Sequence, residues 1–377
     1  MSSSESHSAL SSPSPTPPPA YPVNRLYHLD NLRTTLTGLV ILHHTSIPYG
    51  GLGSWSYRSR FHTEGSSPSL VVFNALNQSF FIGSFFYLSG MMSSQSLRRW
   101  GPAAFLKTKW IKLGIPVAAF TLLAPPLQTC VQRLLVGKEL TWNILSYHIR
   151  GLRGVKGPVW YAAVLLLFDT LYAIQPRIPS LSFGSTMALN VATTFLLRIW
   201  YPAGRAIAPF NLQPGYLPQY IISYNFGTQS SIPTPVSPPM LSRLQKRFLL
   251  GVSVASGLSI VSLLRFHPLA SMSGGWNWLA FSYAIRNEST GLLIGSTLLD
   301  AFRGSSWGTR KWGNIRRYSY VAFLAHQPVC VIIQSIMDSW PADGLMKTIA
   351  IGVPAIVVSW IAGWALTLVP GVGEVVL

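Results

Sequence analysis

Charge is what this chain has least of. Asp, Glu, Lys and Arg together make up 10% of its 377 residues, where a soluble domain carries about a quarter. Acidic residues are scarcest: ten, against 28 Lys and Arg, for a formal net charge of +18. Cysteine is nearly missing, with Cys130 and Cys330 alone. They lie far apart at no metal-ligand spacing, which excludes a disulfide framework and a thiolate zinc site. No internal repeat is visible, which weighs against transporters built from inverted repeats. Some thirty residues precede the first apolar stretch and no small-residue cleavage pattern follows it, so it reads as a retained span and not as a removed signal peptide.

What is abundant is apolar. Hydrophobic residues make up 49% of the chain, with 13 Trp, 15 Tyr and 18 Phe, and mean hydropathy is positive at +0.35. The basic residues sit beside apolar runs, where they set orientation and meet anionic headgroups. They do not form the basic stripe of a nucleic-acid binder, so the bilayer is the expected partner and nucleic acid is not. Residues 1–26, rich in Ser and Pro, read as a disordered cytosolic tail that cannot bury enough surface to fold.

Residues 27–377 read as one membrane-embedded domain. Apolar runs fall at Leu32–Ile47, Leu70–Met91, Trp110–Leu123, Val159–Ile174, Thr186–Trp200, Tyr216–Phe226, Phe248–Leu264, Trp278–Phe302, Val321–Met337 and Ile349–Val369. On the usual length of ~20 residues per span, they predict an all-α, polytopic bundle of about ten transmembrane helices, the sixth run being short. Lys and Arg cluster after the second run (Arg98, Arg99, Lys107, Lys109, Lys112), after the sixth (Arg243, Lys246, Arg247) and after the eighth (Arg303, Arg310, Lys311, Arg316, Arg317). The positive-inside rule places these loops, and with them both termini, in the cytosol. The third-to-fourth loop, with Arg133, Lys138, Arg150, Arg153 and Lys156, opposes that rule.

The most informative segment is LDNLRTTLTGLVILHH, which carries Arg33 and His44. Eleven residues at about 100° each return to nearly the same helix face, roughly 16 Å along the axis, so both side chains can line one cavity. An ionisable group inside an apolar span is a functional hypothesis by default. Adjacent His43 points about 100° away and cannot share a metal ion with His44. Arg33, Thr37, Ile41 and His44 form the stripe, which makes His44 the candidate general base. The competing readings are a histidine that only ties helices together and an Arg33 that anchors to Asp30 at the interface.

Only two acidic residues fall deep in apolar sequence, Asp169 in LLLFDTLY and Glu288 in SYAIRNESTG. Each needs a partner, and for Glu288 the candidates are His44, His326 and Arg33. His326 precedes Pro328, which frees backbone carbonyls beside a pocket. Trp160, Tyr161, Trp276 and Trp278 read as interface anchors. The run LRRWGPAAFLKTKWIKLGIP presents positive charge to anionic lipid or to a nucleotide's phosphates. No metal site is expected.

The order of these features resembles the acyltransferase 3 family of multi-pass membrane acyltransferases. The resemblance is carried by LDNLRTTLTGLVILHH, by SFFIGSFFYLSGMM with the basic run ending LGIP, by GPVWYAAVLLLFDTLY, and by SYVAFLAHQPV, over roughly residues 27–370. It implies transfer of an acyl group, often acetyl, from acyl-CoA as co-substrate to a hydroxyl group, with no permanently bound cofactor. Arg33 and His44 match the family's essential pair, with Glu288 a third catalytic candidate. His326 matches its late histidine before a proline. Lys109 and Lys112 stand where the family usually has two arginines. Lysine lacks the bidentate guanidinium fork, so the donor contact differs there. Lys109, Lys112 and His326 are the implied donor-binding residues. The chain closes at Leu377 soon after its last run, from which a small acceptor is expected: a natural-product alcohol, a sugar or a lipid, in an endomembrane or the plasma membrane, as in fungal members.

Two rivals use the same residues. A proton-coupled secondary transporter would employ Arg33, His44 and Glu288 as a relay. A membrane acyltransferase of the other large class would place its base at His326 and leave His44 dispensable.

Overall fold

The computed structural model describes residues 26–176, 181–230 and 239–376. Apart from Leu26, the expected disordered tail lies outside the described residues. Among those described, the chain is helical throughout and has no named strand. The helices are α1 (Tyr27–Ser46), α2 (Pro68–Lys109), α3 (Ile115–Leu135), α4 (Asn143–Arg150), α5 (Trp160–Ile174), α6 (Phe183–Trp200), α7 (Leu217–Gln229), α8 (Arg243–Leu263), α9 (Trp278–Gly304), α10 (Ser306–Thr309), α11 (Ile315–Met337), α12 (Gly344–Thr367) and α13 (Val372–Val376). Each of the ten apolar runs falls on a helix, and five stretches are long and apolar enough to cross a membrane: Pro68–Leu135, Gly157–Ile174, Arg243–Leu263, Ile315–Met337 and Gly344–Thr367.

Two long helices fall outside that group because of their own polar residues. α1 carries Asp30, Arg33, His43 and His44, and α9 carries Arg286, Glu288, Asp300 and Arg303. Neither needs a lipid-facing exterior. α1 packs against α2, α9, α11 and α12, and α9 against α2, α6 and α8, so their polar groups face protein and not hydrocarbon.

α2 breaks at Gly101, whose φ of 72° and ψ of 167° are non-helical, a left-handed φ that glycine adopts without steric cost. Pro102 follows and has no N–H to continue the ladder. In a straight helix, Ser93 and Lys109 would stand about 24 Å apart. Instead the Lys109 ammonium donates to the Ser93 hydroxyl at 2.8 Å, because the chain turns back at Gly101. A single π turn, Trp110–Gly114, then leads into α3.

Short α7 is held by close backbone approach. A Cβ on Gly90 of α2 would come within 2.2 Å of the Tyr224 carbonyl oxygen, and one on Gly227 of α7 within 2.1 Å of that of Tyr87. Small residues at a helix crossing let backbones touch, which is how helices associate where no hydrophobic effect drives them. Buried apolar side chains of α1, α2, α5, α7, α9 and α11 form one continuous core around this crossing.

Cross-links define two ends of the bundle. At one end, Asn31 at the start of α1 donates to the carbonyls of Gly308 and Arg310, Asp30 pairs with Arg316, and Lys246 pairs with Asp300. The basic clusters of the sequence gather here. At the other end, the 51–67 loop is pinned to the turn between α11 and α12. The Arg60 N–H donates to the Asp338 carboxylate at 3.1 Å. Lys347, almost fully buried, donates to the Asp338 carbonyl at 2.6 Å and lies over the rings of Tyr49 and Phe61. Burial and the neighbouring Asp338 carboxylate hold the Tyr57 phenol above its usual range.

Candidate functional site

His44 and His326 meet beneath this loop. His44 is the third residue from the end of α1, and His326, with no exposed surface, lies mid-way along α11. Their rings are joined by a hydrogen bond of 2.9 Å between His44 Nδ1 and His326 Nε2. His326 Nδ1 lies 2.5 Å from the Phe323 carbonyl oxygen. A carbonyl can only accept, so His326 Nδ1 carries a hydrogen and, in the neutral ring, Nε2 does not. His326 Nε2 is therefore the acceptor and His44 Nδ1 the donor. That leaves His44 Nε2 with its lone pair, aimed away from His326. A buried histidine thus sets the tautomer of a partly buried one and leaves its outer nitrogen able to take a proton.

Contacts from the loop and from α3 surround the pair. Trp55, from the loop, stacks on the His44 ring with centroids 4.4 Å apart and planes 14° from parallel, and its indole N–H donates to Gln334 of α11 at 2.9 Å. Gln327, the neighbour of His326, donates to Ser56 of the loop at 2.6 Å and to Gln128 of α3 at 3.1 Å. His43 turns the other way, packed on Phe81, with Asn74 of α2 at 3.1 Å from its Nδ1.

Arg33 occupies the same helix three turns nearer the basic end. It is half-buried, and among the described residues its guanidinium has no hydrogen-bond or ion-pair partner. Asp30, its expected anchor, pairs with Arg316 instead. Arg33 lies within electrostatic reach of Tyr161, whose hydroxyl is 2.8 Å from Ser89 and donates to the Phe85 carbonyl at 3.2 Å. Tyr161 packs on Phe323, and Phe323 on His326. Rings and hydroxyls thus connect Arg33 to the histidine pair through the bundle.

The other candidates lie elsewhere. Lys109 reaches the fully buried Asp169 at 2.8 Å, and the other Asp169 oxygen accepts from Tyr224 at 2.7 Å. A buried carboxylate without its counter-charge is costly, and Lys109 supplies that charge to α5. Lys112, on the π turn, is exposed. His326 contacts His44 and lies away from the basic surface. Glu288 does not meet His44, His326 or Arg33. Its carboxylate accepts from Asn190 at 2.6 Å, Asn287 at 2.9 Å and Thr194 at 3.3 Å, and it faces the charge of buried Arg198, which is sandwiched by Tyr216 and Tyr283. This second polar cluster joins α6 to α9, apart from the histidines.

Several residues of the site carried no mark in the sequence. Trp55 sits in a loop, and Gln327, Gln334 and Ser89 are ordinary polar residues on helices. Tyr161, expected as an interface anchor, is instead buried beside Ser89. Trp276 and Trp278 are exposed, as an interface position requires. The one available signal was adjacency: Gln327 follows His326, and Tyr161 stands in the GPVWY segment.

A family model described as an acyltransferase domain, acyltransferase 3, matches residues 26–364, which include every residue of the site. No curated protein and no solved structure matches the chain. The chain belongs to the acyltransferase 3 family.

Proposed function

We propose that this member of the acyltransferase 3 family, a membrane acyltransferase, moves an acyl group of acetyl size from acyl-CoA to a hydroxyl of a small acceptor, with His44 as general base. The observation that carries the proposal is the pair of hydrogen bonds from Phe323 to His326 to His44, which leaves His44 Nε2 as the nitrogen able to accept a proton. In the proposed step, the acceptor hydroxyl gives its proton to His44 Nε2 while its oxygen attacks the thioester carbonyl. The tetrahedral intermediate collapses with cleavage of the C–S bond, and the thiolate leaves with the proton held by His44. Ester and free thiol are the products, and His44 returns to its starting state. His326 keeps His44 in the right tautomer and takes a hydrogen bond from the imidazolium that forms.

Arg33 and the exposed Lys112 suit the phosphates of the donor at the basic end, attracted as cations attract a polyanion. The thioester would then run past Tyr161 and Phe323 to His44 on the long pantetheine arm. The acceptor would enter from the loop end, where Trp55 covers the site. A multi-pass arrangement of about ten spans, with the basic end cytosolic, fits this division of the two substrates.

The test is acyl transfer from labelled acetyl-CoA in membranes expressing wild type, His44→Ala and His326→Ala, with a panel of alcohols and a check of each variant's expression. Label in an ester with wild type and none with His44→Ala supports the proposal. Transfer that survives His44→Ala and is lost only with His326→Ala assigns the base to α11. Proton flux in vesicles that depends on His44, with no donor consumed, would replace the enzyme with a transporter.

A further inference from the structure

The loop whose charge opposes the positive-inside rule borders a cavity. Between Val136 and Gly157 the chain carries Lys138, Arg150, Arg153 and Lys156 against a single acid, Glu139. These cations lie toward the end of the bundle opposite the other basic clusters, since Gln128 of α3 meets Gln327, which also bonds Ser56 of the 51–67 loop. Orientation bias therefore does not account for them. The ion pairs of the described residues use Asp30, Asp169 and Asp300, all on other elements, and none engages Arg150, Arg153 or Lys156.

Two anchors shape the cavity. The Thr129 hydroxyl gives its one hydrogen to the Pro125 carbonyl at 3.0 Å, so it accepts from His148 Nε2 at 2.9 Å and ties α4 to α3. Past α4 the chain is tied to a different segment. The Val155 N–H donates to the Pro209 carbonyl at 2.7 Å, beside Gly154, where a Cβ would lie 2.1 Å from the same oxygen. The space left between α3, α4 and this segment is about 310 Å³, near the lower end of ligand sites at about 300–1,000 Å³. It is lined by Leu122 and Pro125 of α3, by Tyr147 and His148 of α4, and by Leu152 and Lys156 beyond it.

Apolar surface continues outward from this cavity. α3 closes one of the stretches long and apolar enough to cross a membrane, and its Leu122, Leu123 and Leu127 are exposed. On α4, Trp142, Leu145 and Ile149 share one face and are exposed, whereas Ile144, pointing elsewhere, is buried. Exposed apolar side chains next to Lys and Arg are the pattern of a segment lying at a bilayer surface.

We propose that the cavity between α3 and α4 holds the phosphate head of an anionic lipid, with Lys156 as its cation, and that the lipid's chains lie outside it along the exposed leucines of α3. A soluble anion would meet the cations and leave the leucines uncovered. A neutral lipid would cover the leucines and leave the charge of the loop uncompensated. An anionic lipid does both, since cations at a membrane surface attract it. The inference stands on the cavity and its surroundings and does not depend on acyl transfer.

The test uses the full chain in phosphatidylcholine nanodiscs containing a trace of photoactivatable phosphatidylglycerol or of photoactivatable phosphatidylcholine, each with its diazirine close to the glycerol. Labelled peptides are located by mass spectrometry. The expected result is labelling of residues 121–125 and 147–156 by the anionic lipid at least five-fold above the zwitterionic one. Lys156→Gln should lower that labelling by roughly five-fold, the worth of one cation toward anionic lipid, while Lys138→Gln, outside the cavity, changes it less than two-fold. Thermal unfolding shows that both variants are folded. Equal labelling by the two lipids, or none on these segments in wild type, overturns the proposal without recourse to a variant. An equal loss in Lys138→Gln overturns it in favour of diffuse attraction to the loop. Displacement of the label by millimolar glycerol phosphate, which has the head without the chains, overturns it in favour of a soluble phosphate compound.

Discussion

Replacing His326 by leucine and by glutamine tests the part that the proposed mechanism gives to α11. Leucine keeps the volume and removes the acceptor for His44 Nδ1–H. Glutamine can return one through its carbonyl oxygen. The magnitude follows from the 2.9 Å bond between the rings. In the ground state it is a neutral hydrogen bond, about 0.5–1.5 kcal/mol. When His44 holds the acceptor's proton, the same bond is charge-assisted, about 1.5–3 kcal/mol. The difference, about 1–1.5 kcal/mol, is stabilisation made only in the transition state, and it acts on kcat. Loss of the preferred tautomer adds to it. At about 1.4 kcal/mol per decade, His326→Leu should lower kcat by roughly 10- to 100-fold and leave KM for acyl-CoA nearly unchanged. His326→Gln should stay within about 10-fold of wild type. His44→Ala should cost about 10²–10⁴-fold, the usual worth of a general base. In the proposed mechanism His326 acts through His44, so the double variant should be no slower than His44→Ala, as expected of residues that work as a unit. The assay is initial-rate acyl transfer over a range of donor concentrations on purified, folded variants. Full activity in His326→Leu, or fully additive losses in the double variant, would refute the positioning role.

Trp55→Ala removes a ring stacked on His44. At about 0.5–1.5 kcal/mol for an aromatic pair, kcat should fall roughly 2- to 12-fold, with Trp55→Phe in between, as stopped-time product assays would show. Lys112→Ala and Arg33→Ala should raise KM for acyl-CoA with a smaller change in kcat. Asp169→Asn strips Lys109 of its counter-charge and should instead lower stability by about 3–5 kcal/mol, read as a lower unfolding temperature. Gly227→Leu places a side chain against the Tyr87 carbonyl, where even a Cβ would sit at 2.1 Å. It should separate α2 from α7 and sharply reduce the yield of folded protein, measured by fluorescence-detected size exclusion.

Sequence alone determined that this is a helical membrane protein, because scarce charge and long apolar runs leave few other ways to satisfy the backbone in lipid. Helix periodicity was enough to put Arg33 and His44 on one stripe and to send His43 elsewhere, since 100° per residue is a property of the helix itself. Periodicity stops at the edge of each helix. It does not say which helix stands opposite, and so the bond from His44 to His326, 282 residues away, was decided by packing alone. So were the partners of the two deep acids. Asp169 took Lys109 because α2 turns back at Gly101, and Glu288 took Asn190 and Thr194 because α6, not α1, packs on its face of α9. Trp55 lay beyond any periodic signal, since a loop has no repeat, and its place over His44 follows from the clamp that Asp338 and Lys347 make on the far side of the bundle.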